Sequence, residues 1–141
     1  MTFTDAEQRF LARQPSGHLA TIGLDGIPQV KPLGFTYNAA LGTIDISGMN
    51  MAGSAKYRNV RANPRVAFVI DEVTAPSVEG AHFLEIRGEA EQAVGPHDAT
   101  GHLAAEIIRI HPRRVISFNV DPDHPGFAAR DIKPGDSSES A

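Results

Sequence analysis

The sequence predicts a mostly β domain of the α+β class: about six antiparallel strands curled into a small barrel, with two to three helices beside them. Three observations carry this. Short runs of branched and apolar residues recur between turn signals. The glycine-bearing turns at Asp25-Gly26 and over 38–42 are tight enough to return one strand directly against the next. Helical spacing of apolar residues is confined to a few brief stretches.

Taken in order, Thr4 can cap a helix over 5–13, with Glu7 three residues on to return the bond and Phe10 and Leu11 supplying an apolar face. Pro15 and Gly17 stop it. Residues 18–23 have the content of a strand, Asp25-Gly26 turns the chain, and a second strand runs over 28–37. After the next turn Thr43-Ile-Asp-Ile-Ser47 alternates polar and apolar, so the first three strands are expected to form a meander. From Ser54, the residues Ala55, Val60 and Ala62 space a helix that ends at Asn63-Pro64. Residues 65–70 read as a strand buried on both faces, a loop spans 74–80, and a long strand covers 82–94 until Gly95-Pro96 breaks it. Leu103, Ile107 and Ile110 fall at helical spacing, which predicts a helix over 98–110, and a last strand over 114–120 closes the sheet. The polar, proline-bearing remainder reads as irregular, so the folded domain is taken as 1–132 with a disordered tail over 133–141.

A chain of 141 residues suits one domain, and no apolar run approaches the roughly 18–20 residues needed to cross a bilayer. Residues 1–5 carry no basic cluster and lead into no apolar stretch, so no secretion or organelle signal is read there and the cytoplasm is expected. The absence of cysteine removes disulfides, thiolate metal sites and cysteine nucleophiles. Thirteen basic against seventeen acidic residues give a net charge of -4, which argues against general attraction to nucleic acid. A local basic cluster therefore stands out.

That cluster follows the third strand, in Gly48-Met-Asn-Met-Ala-Gly53-Ser-Ala-Lys-Tyr-Arg58-Asn. A glycine-bearing loop that brings a hydroxyl and free backbone N–H groups to a helix start is a ready anion site, and Lys56, Arg58 and Arg61 add positive charge. The plainer alternative is that Ser54 is only an N-cap and the basic residues form a solvated face. Lys31 is the second candidate, because a lysine in an apolar strand either points to solvent as an edge charge or meets an anion, and strand geometry puts Gln29, Lys31 and Leu33 on one face. In a meander Lys31 and Lys56 would converge on one phosphate. The six histidines show no metal-ligating spacing; His18 and His82 are expected to start elements, and His111-Pro and His124-Pro to end them. Hydrolase motifs and phosphate loops of the Walker type are missing, whereas hydride transfer asks of a protein mainly that it place a cofactor ring against a substrate.

The stretches His18-Leu-Ala-Thr-Ile, Gly26-Ile-Pro-Gln-Val-Lys-Pro-Leu and Ser54-Ala-Lys-Tyr-Arg-Asn-Val-Arg-Ala-Asn-Pro-Arg-Val-Ala together resemble the pyridoxamine-phosphate-oxidase-like superfamily, in particular its small flavin- or deazaflavin-dependent oxidoreductases, over roughly residues 11–120. The resemblance implies a six-stranded antiparallel split β-barrel of the FMN-binding type, forming a homodimer with two cofactor sites in the grooves between subunits. Lys31 with Pro32 and Leu33 resembles the strand that lines the isoalloxazine or deazaflavin ring, and Ser47 and Gly48 the strand end beside it. Ser54 and Lys56 resemble the phosphate-binding pair, with Arg58 and Asn59 next to them. Where the oxidase has a second basic residue between serine and lysine, this chain has Ala55.

The long C-terminal extension that completes the vitamin B6 pocket is also missing, so B6 oxidation is not expected. In its place Pro125-Gly-Phe-Ala-Ala-Arg130 is expected to reach over the partner's groove, Phe127 stacking and Arg130 meeting an anionic cofactor tail, unless it is a surface loop with one buried Phe. The implied cofactor is coenzyme F420, with flavin mononucleotide (FMN) as the alternative. The implied reaction is hydride transfer between F420 and an unsaturated or conjugated small molecule, and a non-catalytic flavin- or haem-binding protein is the alternative from another class. In the dimer, apolar faces around Phe68, Phe83 and Phe118 should be partly buried between subunits.

Overall fold

Thr4 opens the fold as its sequence predicts. Its Oγ1 accepts the Glu7 N–H at 3.2 Å and Glu7 Oε1 accepts the Thr4 N–H at 2.9 Å, closing a capping box on helix α1 (Asp5–Arg13). The computed structural model describes residues 2–95 and 105–133. After α1 come strands β1 (Ser16–Ile22), β2 (Pro28–Gly34), β3 (Thr36–Asn38) and β4 (Thr43–Ile46), helix α2 (Ala55–Ala62), and strands β5 (Arg65–Val73), β6 (Ala81–Val94), β7 (Glu106–Phe118) and β8 (Phe127–Asp131). Gly26 and Gly42 take the positive φ angles, 82° and 68°, that the two tight turns require.

The sheet runs β2-β1-β5-β6-β7-β4-β3, with β8 paired to β7, and every pairing is antiparallel. This corrects the expected meander. β1 and β2 do pair, but β4 lies between β3 and β7 and does not touch the ladder of β2. The strand expected over 28–37 is bent at Phe35, so its first half pairs with β1 and its second half with β4. Strands at the two ends of the path are thus separated by one residue, and the sheet curls on itself as a mostly β, α+β split barrel. Its interior is filled by side chains such as Leu19, Ile44, Phe68, Leu84, Ile86 and Ile110, with Phe10 of α1 and Val60 of α2 covering the ends.

Four further expectations are corrected. Residues 98–104, the first part of the expected helix, lie outside the described residues, but from Glu106 onward the chain is strand. Ile107, Ile108 and Ile110 are β-branched, and β6 needs a partner along its length, so cross-strand packing overrides a spacing that also fits a helix. His111-Pro112 therefore sits inside β7 rather than ending an element, at the register shift opposite Arg87 and Gly88 where a residue without an N–H is tolerated. The tail expected to be irregular contains β8, while 134–141 lie outside the described residues. In β5 only Val66, Phe68 and Ile70 face the core, so Phe68 is interior to the chain and is not part of an outer apolar face.

Two ion pairs tie distant segments together. Asp45 of β4 takes a two-pronged contact from Arg109 of β7, both bonds 3.1 Å, and accepts further bonds from Asn38 Nδ2 and Thr43 Oγ1. Burial pushes the Asp45 carboxyl up, but the bonds from Arg109, Asn38 and Thr43 outweigh it and hold the group below its ordinary value. Arg130 of β8 reaches Glu7 of α1 through two bonds of 2.6 and 3.0 Å and donates to the Thr2 carbonyl at 2.6 Å.

Both pairs predict stability effects. A carboxyl with a lowered folded pKa stabilises fully above its unfolded value of about 3.9 and loses that contribution as pH falls through the folded value. Asp45→Asn is therefore expected to cost about 1.5–3 kcal/mol at neutral pH and to flatten the acid limb of the stability curve below about pH 4, checked by urea unfolding across pH. Arg130→Ala removes two charge-assisted bonds from the nearly buried Glu7 carboxylate, which keeps the bond from the Thr4 N–H. Because Arg130 itself is partly solvated, the expected loss is discounted to about 1–3 kcal/mol in the same unfolding assay.

Candidate functional site

Helix α2 starts against the β1–β2 hairpin, and the contact makes a cavity. Ser54 is the N-cap: its hydroxyl donates to the Met51 carbonyl at 2.7 Å and accepts weakly from the Tyr57 N–H at 3.4 Å. The first N–H groups of α2, on Ala55 and Lys56, have no acceptor within the helix. Both residues line a cavity of about 150 Å³ together with Leu19, Thr21, Gln29, Lys31 and Ser54. That is several times the roughly 30 Å³ one water occupies.

Lys31 and Lys56 are thus brought together, though not by the route the sequence suggested. β2 and β4 are not neighbours; α2 instead packs across β1, onto the face that carries Leu19 and Thr21 with their cross-strand partners Lys31 and Gln29. Among the described residues, neither ammonium is engaged by a carboxylate. The lining holds no carboxylate or imidazole, so the local field is positive although the chain as a whole is acidic. Such a surface is suited to holding an anion.

The remaining predicted residues distribute around this cavity. Arg58 is exposed and folds back to donate to the Gly53 carbonyl at 3.2 Å. Asn59 is buried; its Nδ2 donates to Thr21 Oγ1 at 3.0 Å and to Gln29 Oε1 at 2.9 Å. Pro32 and Leu33 continue β2 to Gly34, which shares a shallow cleft with Ser47, Phe35 and Thr36. At about 3.3 Å per residue, Lys31 to Gly34 spans roughly 10 Å. Gly48 follows Ser47 and packs near Met51, at the start of the loop that returns to Ser54. The stretch of β2 from Lys31 to Gly34 is thus a track between two separate recesses, one lined by Lys31, Ser54 and Lys56 and the other by Gly34 and Ser47, with Gly48 next in sequence.

Phe127 and Arg130 are not brought to this track within one chain, because β1, β5, β6 and β7 separate β8 from β2. The Arg130 guanidinium is taken up by Glu7 and the Thr2 carbonyl of its own chain, which corrects the expectation that it is available to an anionic tail. Phe127 is 76% exposed and lies in a row with Phe118 and Phe83, its ring centroid 4.6 Å from that of Phe118 and 6.1 Å from that of Phe83. Sequence reasoning did not single out Thr21. The signal for it was present: Gln29 was already on the Lys31 face, and Thr21 is the residue that a two-strand hairpin turning at Asp25-Gly26 sets opposite Gln29.

Comparison with known proteins agrees with this architecture. A family model described as pyridoxamine 5'-phosphate oxidase matches residues 3–134. The 5a,11a-dehydrotetracycline/5a,11a-dehydrooxytetracycline reductase of Streptomyces rimosus is 41% identical over 134 residues, 94% of each chain. Among solved structures, a conserved hypothetical protein from Mycobacterium tuberculosis has a TM-score of 0.68 at 22% identity, covering 89% of this chain and 91% of that one. An F420 reductase has a TM-score of 0.55 at 26% identity, covering 74% and 91%.

Proposed function

The chain belongs to the pyridoxamine 5'-phosphate oxidase family, and we propose that it is an oxidoreductase transferring a hydride between the deazaflavin coenzyme F420 and an unsaturated or conjugated small molecule. The observation that carries the cofactor assignment is the cavity where Lys31, Lys56 and the start of α2 converge. Its donors suit a phosphate: two ammonium groups without carboxylate partners and free N–H groups at a helix start. Ser54 joins them by turning its hydroxyl from the Met51 carbonyl to the anion. Pro32 and Leu33, with Ser47 and Gly48 beyond, line the track along which the ring lies.

Ala55 favours the deazaflavin over FMN. A phosphate monoester carries about -1.5 to -2 charges at neutral pH and a phosphodiester one, and Ala55 withholds the further basic group that a monoester would use. When bound in its reduced form, the coenzyme supplies the hydride. The chain's own residues bind, orient and screen it. A conjugated C=C bond accepts the hydride at one carbon and a proton from water at the other, a balanced two-electron reduction. The reductase relative, named for dehydrotetracyclines, supports a polycyclic conjugated substrate.

A second copy of the chain completes the site in this reading. All but one of the β2 residues are exposed, Val30 to 61%, although β2 supplies Gln29 and Lys31 to the cavity, and Phe127 stands open on the outer face of the sheet. An edge strand this bare is supported by a homodimer in which Phe127 covers the partner's track. Sedimentation equilibrium is expected to return a dimer, with an interface above about 2,000 Å². Val30→Arg is expected to shift it toward monomer and weaken cofactor binding together; a wild-type monomer that binds cofactor fully would remove the composite site.

The direct test is a fluorescence titration with F420 and FMN side by side. F420 is expected to bind at least about tenfold tighter, and Lys56→Met to weaken it by about 1.5–3 kcal/mol, roughly 10- to 150-fold. Preference for FMN would make the protein a flavin oxidoreductase of the same fold. Tight binding without turnover of any acceptor would make it a carrier.

A further inference from the structure

The two halves of the phosphate cavity stand on elements that are not paired with each other. Gln29 and Lys31 belong to β2, an edge strand whose one ladder partner is β1; Ser54, Ala55 and Lys56 belong to the start of α2, which packs on β1 and β6. Like-charge repulsion between the Lys31 and Lys56 ammoniums works to part these halves whenever no anion lies between them. A bond crossing from α2 to β2 comes from Asn59. Its one amide group, three residues along the helix from Lys56, divides its two N–H bonds between Thr21 Oγ1 on β1 at 3.0 Å and Gln29 Oε1 on β2 at 2.9 Å. Thr21 and Gln29 are themselves opposite one another in the β1–β2 register, so the amide straddles a cross-strand pair. On the far side of α2, Gln92 Nε2 of β6 donates to the Tyr57 carbonyl at 2.9 Å, which fixes the helix from behind.

We propose that Thr21, Gln29 and Asn59 form a neutral clamp that sets the spacing of Lys31 from the start of α2, and so determines how strongly the protein selects a phosphorylated cofactor over its phosphate-free counterpart. They are positioning residues. Asn59, one helical turn beyond Lys56, acts through the hairpin and not as a ligand. Neutral groups suit this role, because a charged clamp would compete with the phosphate for the lysines or add to their repulsion. Gly23 borders the same device: a Cβ there would lie 2.8 Å from Gln29 Nε2, and equally close to Asp25 Oδ1 of the hairpin turn, so both side chains would have to move. The inference rests on the cofactor reading above, and its test separates the two.

The experiment measures a ratio of dissociation constants on the full chain. FMN is paired with riboflavin, and F420 with its phosphate-free deazaflavin riboside, using whichever pair the wild type binds. Thr21→Val keeps the shape and removes the acceptor; Gln29→Leu changes an exposed residue and carries little risk to folding; Gly23→Ala displaces Gln29 indirectly; Thr21→Ser is the rescue. The expected result is a roughly tenfold fall in phosphate preference for the first three, with affinity for the phosphate-free compound within about twofold of wild type, and recovery in Thr21→Ser. A ratio unchanged in Gln29→Leu and Thr21→Val, or both affinities falling in parallel with the melting temperature, overturns the clamp alone. A wild type without phosphate preference overturns the cofactor reading and the clamp with it.

Discussion

Between Gly34 and Thr36 a single residue separates two strands that lie at opposite ends of one hydrogen-bonded path. The chain must bend there, because β2 is bound to β1 and β3 to β4, and those partners are four strands apart along the sheet. Phe35 sits at the bend against the core, its ring edge-on to that of Phe68 at 5.2 Å. The bend links the two end strands of the path, and on the β1–β2 hairpin Gln29 and Lys31 share the face that α2 approaches, Gln29 through the bond from Asn59. The cavity lies where α2 crosses the β1–β2 hairpin.

The parts of this that were legible in the sequence are those governed by neighbours in the chain. Thr4 and Glu7 specify a helix start, Ser54 specifies another, Gly26 and Gly42 specify turns, and alternation puts Gln29 and Lys31 on one face. What was not legible depends on partners far along the chain. Nothing within residues 43–47 says that β4 pairs with β7 and not β2, since either pairing satisfies the same alternation. The isoleucines of 107–110 fit a helix spacing until a fourteen-residue β6 is set beside them. Arg130 looked like a free cation because Glu7, its partner, is 123 residues away. The convergence of Lys31 and Lys56 was anticipated for a wrong reason: a helix crossing β1, and not adjacency of strands, creates it.

The chain divides its cations by chemistry. Among the described residues, every ion pair outside the histidine contacts takes its cation from arginine, among them Arg109 with Asp45, Arg130 with Glu7, Arg114 with Asp131 and Arg13 with Glu72. A guanidinium is a planar fork with fixed donors, suited to bridging strands and termini. Lys31 and Lys56 are compact point charges on flexible stems and stand outside these pairs, at a cavity whose lining contains both of them and no acid. A chain of net charge -4 thereby keeps a local positive field, because no acid is among the residues that line that cavity.

That field is worth little while it faces water. Exposed ammonium groups gain on the order of 1 kcal/mol or less from an anion in high dielectric, and the bare surface of β2 supplies no second wall to exclude solvent. On the proposed assembly the same outer face that carries Phe127 closes over the track, lowers the local dielectric and makes each lysine contact count for more. Linkage then runs in both directions: whatever factor dimerisation adds to cofactor affinity, the cofactor adds to dimer affinity, since binding free energies around a closed cycle must sum to zero. The exposure of β2 and the weakness of a one-sided cavity are thus two expressions of a single constraint. On this proposal, a split barrel that places its binding groups on an edge strand draws on a second copy to enclose them.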